Sequence, residues 1–149
     1  MKLIFLVLLA INLFGCEVIS NANQHSFIDV KLIGTWEGKY TEQGGTIKSW
    51  TQTRKADGTY LIEFSFTELD GTTKRFTESG RWWVKEDLFH EIASSGMEQP
   101  DRYQYHFKRK NCVNFVLVES NGLAENIDSY EFSECLSEDS PLVSAGRLT

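Results

Sequence analysis

"TIKSWTQTRKADGTYLIEFSFTELDGTTKRFTESGRWWVK", Thr46 to Lys85, decides how this chain folds. Apolar and polar residues alternate along it, and the alternation breaks at Asp57-Gly58 and again at Asp70-Gly71. Alternation with period two marks a half-buried strand, whereas a surface helix repeats about every 3.6 residues. Gly after Asp supplies the positive φ that a tight hairpin needs, so the stretch reads as three strands joined by two hairpin turns.

The rhythm continues on both sides. Upstream, "IGTWEGKY" from Ile33 closes at "TEQGG"; downstream come "LFHEIAS", "YQYHFK", "CVNFVLVE" and "DSYEFSEC". No amphipathic helical segment of useful length falls between Ile33 and Cys135. About eight short strands with short turns predict an all-β fold, an antiparallel up-and-down meander closed into a barrel, because closure removes the unpaired edges of an open sheet. A barrel of that size either fills its interior with side chains or holds one small ligand.

Within the strands, alternation places Tyr60, Ile62, Phe64 and Phe66 on one face, Trp82 and Val84 on one face of the next, and Tyr103, Tyr105 and Phe107 together on another. These are the candidate interior rows. They either pack the core, as aromatics do in any small domain, or line a cavity in which hydroxyl and indole N–H groups orient a bound molecule. A cavity of about 300 Å³ or more, open at the end away from Trp36, is the feature that would separate a carrier from a filled barrel.

The last hairpin fixes a further expectation. Pairing about "NGLAEN" sets Phe115 opposite Phe132 and Leu117 opposite Tyr130, and the same register sets Cys112 opposite Cys135. A disulfide between those two cysteines would close a loop whose chain entropy is worth roughly 3 kcal/mol.

At the N-terminus, Lys2 and the apolar run "LIFLVLLAINLF" have the make-up of a secretory h-region, too short to span a bilayer. The following Leu13-Phe14-Gly15-Cys16 resembles the bacterial lipoprotein signal, although Phe14 is bulkier than the residue such signals usually carry there. The resemblance implies lipidation of Cys16 after removal of residues 1–15, a tether over 16–26, and a membrane partner reached through the lipid. Two or more acyl chains make such an anchor stable. With Glu17 rather than Asp after the Cys, the expected place is the bacterial cell envelope, on the outer membrane facing the periplasm. The alternative is an ordinary signal cut after Ala22, giving a soluble periplasmic or secreted protein.

Cys16 committed to lipid leaves an even pair of cysteines, which in an exported protein favours a disulfide. The formal net charge is −6, so no global basic field exists to hold nucleic acid. The basic cluster Lys108 to Lys110 reads as a solvated turn.

"FIDVKLIGTWEGKY" is similar to the opening of the lipocalins, where a Phe, a short approach and Gly-x-Trp begin the barrel; here these are Phe27 and Gly34-Thr35-Trp36. The resemblance covers about 27–136 and is lipocalin-like, nearer to small calycin-type domains, with 137–149 a loose C-terminal tail. It implies that Trp36 plugs the closed end of the barrel and Gly34 lets the backbone pack beneath it. The sequence departs from the family in placing Ile28 before Asp29; and where the resemblance implies an Arg after the last strand that stacks on the Trp, the only late Arg is Arg147 in the tail.

No catalytic constellation stands out. There is no G-x-S-x-G, no Gly-rich loop before a helix, and "HEIAS" from His90 lacks the second His of a zinc-protease helix. His25, His90 and His106 do not form a metal-ligand pattern, and neither a cofactor nor a metal is expected. The function expected is therefore binding or carriage of a small, partly apolar molecule. The alternative is a structural or inhibitory lipoprotein with a filled core that binds another envelope protein through its outer surface.

Overall fold

The computed structural model describes residues 25–121, 130–138 and 140. A short 3-10 turn, Val30–Leu32, precedes eight strands: β1 Gly34–Thr41, β2 Ile47–Arg54, β3 Thr59–Thr67, β4 Thr73–Lys85, β5 Leu88–Ala93, β6 Asp101–Arg109, β7 Cys112–Glu119 and β8 Glu131–Leu136. Each strand pairs antiparallel with the next, and β8 returns to β1 through Trp36↔Leu136, Glu37↔Cys135 and Gly38↔Glu134. The chain is a closed up-and-down barrel, an architecture compatible with the lipocalin-like expectation.

The two Asp-Gly turns form as the sequence requires. Gly58 and Gly71 have φ of 79° and 84°, and the Asp before each accepts a backbone N–H two residues on, from Thr59 and Thr72. These turns set Trp50 opposite Phe64 and Phe64 opposite Phe76, so the interior rows of β2, β3 and β4 lie side by side.

In the final hairpin Phe115 faces Phe132 and Cys112 faces Cys135, and Leu117 N–H donates to the Tyr130 carbonyl. Cys112 and Cys135 are joined in a disulfide. β8 is therefore held to β7 both by its ladder and by a covalent bond at its closed-end terminus.

The barrel has a sealed end and an open one. Trp36 is buried, its indole N–H donating to the Leu32 carbonyl at 2.9 Å, so the 3-10 turn is fastened beneath the plug. Phe27 bridges to Val84, and the Tyr105 hydroxyl donates to Asp29 Oδ2 at 2.9 Å, tying the approach segment across the same end. Gly34, with φ of 133°, opens β1 there opposite Arg54. Asp29 caps the turn by accepting from Lys31 N–H.

Ser137, the first residue of the segment read as a loose tail, is buried; its N–H donates to the Thr35 carbonyl and its hydroxyl to Glu37 Oε1. Cys16, the residues before it and Arg147 lie outside the described residues.

Candidate functional site

The interior rows are buried as alternation demands, but they divide between two levels. Tyr60, Ile62, Trp82, Val84 and Tyr103 are core residues, with Phe64, Tyr105 and Phe107 packed half-buried against them. Tyr105 and Phe107 belong to the sealed end, whereas Phe64 and Tyr103 line a cavity above it. Phe66 stands at the rim, its ring stacked 5.4 Å from that of Phe76, which is half-exposed.

The cavity has a volume of about 350 Å³ and lies at the end of the barrel away from Trp36. Trp50, Ile62, Phe64, Tyr103, Leu117 and Phe132 supply its apolar wall. Its polar lining is Lys48, Gln52, Glu78, Glu91, Asp101 and Ser120. The outer face carries a broader open hollow of about 1070 Å³ across β1 to β4, bordered by Glu37, Lys39, Glu63 and Arg75.

Beneath the cavity is a buried polar floor that the aromatic rows do not announce. Arg54, 1% exposed, forms an ion pair with Glu134 and donates from Nη2 to Gln52 Oε1 at 2.7 Å. Gln52 passes the contact upward, its Nε2 donating to Glu91 Oε2 at 2.5 Å. Trp50 N–H donates to Glu134 Oε2 at 3.2 Å. The guanidinium lies within cation–π range of three rings, 5.9 Å from Trp36, 5.1 Å from Phe89 and 5.2 Å from Phe115. The Arg that meets the plug Trp thus comes from the end of β2.

The Arg54 guanidinium pairs with Glu134 directly and reaches Glu91 only through Gln52. Desolvation raises the pKa of Glu91 to about 7, with Glu134 and Glu78 adding to the rise and Arg54 and the Gln52 hydrogen bond opposing it. The native protein therefore binds a proton on Glu91 that an unfolded chain, with its carboxyl near 4.5, releases. Native stability is highest below the unfolded value and falls as pH rises through the native one. Glu91→Gln keeps an oxygen for Gln52 and removes the titration. Chemical denaturation should show the wild type losing about 2 kcal/mol between pH 5 and pH 8 relative to that variant. Parallel pH profiles would exclude a proton held at Glu91.

At the level of the floor, Tyr60, paired with Arg54, donates to Glu78 Oε1 at 2.9 Å, and desolvation raises the pKa of that hydroxyl. Asp101 is well satisfied, accepting from the hydroxyls of Tyr103 and Ser120 and from the Asn121 N–H. The Lys48 ammonium sits 4.8 Å above the Phe64 ring and 5.8 Å from that of Phe66. Burial lowers its pKa, against the pull of Glu42 and Glu78.

His90 and Glu91 occupy opposite faces of β5. Outside, His90 stacks on Trp83 at 5.3 Å, with its Nδ1 3.0 Å from the Leu88 carbonyl. Among the described residues no group of three or more His, Cys, Asp or Glu side chains is placed to hold a metal ion.

A scan against protein-family models finds no match for this chain, and no curated protein matches it in sequence.

Proposed function

We propose that this protein is a non-catalytic binding or carrier protein of the bacterial envelope, holding a small, partly apolar molecule in the mouth of a lipocalin-like barrel. The observation that carries the proposal is the cavity of about 350 Å³ opposite the Trp36 plug, within the range that small-molecule sites occupy. A barrel built only as a scaffold has no need of that space, since interiors otherwise pack densely. The exposed rim, with Phe76 50% and Leu69 82% accessible, gives an apolar molecule an entrance surface.

The apolar run before Cys16 supports a place at a membrane. Cys16 is the proposed lipidation site and the outer membrane, facing the periplasm, the proposed location. Intact mass of the membrane-extracted chain should show acyl additions on an N-terminal Cys16; an unmodified chain starting at Asn23 would replace the anchor with ordinary secretion.

The carrier reading is tested by native mass spectrometry of protein taken from its own host, where a co-purifying adduct of small-molecule mass is expected. The alternative is a structural or inhibitory lipoprotein that grips an envelope protein through its outer surface. In its favour stands the wide hollow over β1 to β4, with charges of both signs on its border. Protein that carries no adduct and retains an envelope protein on that face would decide for it.

A further inference from the structure

Resting on the carrier reading, we propose that the molecule held in the barrel is an organic amine, its ammonium group taken by Glu78 and Glu91 and its apolar body packed against Trp50, Phe64, Tyr103 and Phe132. Among the described residues, and above pH 7 where Glu91 has lost its proton, the charges facing the cavity are three carboxylates, Glu78, Glu91 and Asp101, against one ammonium, Lys48. A fatty acid or other anion would bring a fourth negative charge into a desolvated space, which costs far more there than in water. An uncharged ligand would leave acceptors facing it without donors. Among the described residues Glu91 receives one hydrogen bond, on Oε2, and Glu78 one, on Oε1, so each has a second oxygen to offer a donor.

The cavity also shows, with its own lysine, that its wall accepts an ammonium group. Lys48 rests over Phe64 and Phe66 at 4.8 and 5.8 Å, in the geometry by which aromatic faces bind cations. Tyr103, Trp50 and Phe132 extend that aromatic surface inward: Phe132 meets Trp50 edge-on at 5.5 Å and Tyr103 at 5.7 Å. An inorganic cation is not the match. The three carboxylates hang from β4, β5 and β6 without converging on a common point, and no trio among the described residues is placed to ligate a metal. Carboxylates and aromatic faces lining one cavity suit a positive group on an apolar body.

The test is a matched series titrated into the full chain at pH 8, where Glu91 is ionised, by calorimetry and Trp fluorescence: 2-phenylethylamine, 2-phenylethanol and phenylacetate, alike in ring and differing in charge. The amine is expected to bind at least about tenfold more tightly than the alcohol, and the acid not to bind. Glu91→Gln and Glu78→Gln should each weaken the amine by about tenfold and leave the alcohol unchanged, which distinguishes a charge contact from a general loosening of the barrel. Equal binding of amine and alcohol, or preference for the acid, overturns the amine assignment while leaving a carrier. Failure of all three to bind also overturns it, and the host-derived adduct then decides the carrier reading independently.

Discussion

Replacing Arg54 with Met is expected to lower the free energy of unfolding by about 3–5 kcal/mol, the scale for removing one partner of a buried ion pair. Met preserves most of the apolar stem between Trp36, Phe89 and Phe115, so the loss reports the missing charge more than a missing volume. What remains is the Glu134 carboxylate, with 0% of its side chain exposed and, among the described residues, only the Trp50 indole N–H as a donor. Gln52 also loses the group that holds its oxygen, and with it the orientation that presents Nε2 to Glu91. Adding Glu134→Gln should recover at least half of the loss, because an amide needs no counter-charge and still accepts from Trp50. Urea unfolding of the two single variants and the double variant measures this coupling. A loss below about 1 kcal/mol in Arg54→Met, or a double variant no better than the single, would mean that the floor is not held by this pair.

The barrel itself is legible from residue pattern because a two-residue period and an Asp-Gly turn are both local. The rows Tyr60 to Phe66 and Tyr103 to Phe107, and the facing of Cys112 with Cys135, follow from counting along strands. The polar floor is harder to see for a physical reason. In β2 both faces are polar or mixed, with Lys48, Gln52 and Arg54 on one and Ser49, Thr51 and Thr53 on the other, so alternation alone does not say which row points inward.

The signal that would have found the floor is the hairpin at Asp57-Gly58. Its register pairs Arg54 with Tyr60, Gln52 with Ile62, Trp50 with Phe64 and Lys48 with Phe66, and paired residues share a face of the sheet. Once Tyr60 and Ile62 are read as interior, Arg54 and Gln52 must be interior too. Glu91 and Glu134 are placed inside by the same reasoning, opposite Trp82 and Val113, but their meeting with β2 follows only from the closing of the barrel. Likewise the Arg beside the plug Trp can be found only when β1 and β2 are paired, since it comes from the neighbouring strand and not from the chain's end.

Gly38→Ala is expected to cost a further large sum, about 3–5 kcal/mol, comparable with deleting a buried Trp outright. Gly38 pairs with Trp50 on one side and with Glu134 on the other, and the Trp50 indole lies directly over its Cα. A Cβ there would fall against Cζ2, Cε2 and Cη2 of Trp50, far inside the separation that non-bonded carbons tolerate. The ring cannot yield by a small rotation, because it is 6% exposed, packs edge-on against Phe132 and donates to Glu134. The added methyl therefore expels the indole, which removes a wall of the cavity and a donor from the floor together. Changes in contact do not add, so Gly38→Ala placed on Trp50→Leu should cost much less than it does alone. Amine binding should disappear in Gly38→Ala even where it remains folded, since Trp50 forms part of the surface on which the ligand rests. Thermal and urea melts with 2-phenylethylamine titration decide the matter. A Gly38→Ala variant as stable as wild type, or one whose cost adds in full to that of Trp50→Leu, would show that the indole does not lie across this glycine.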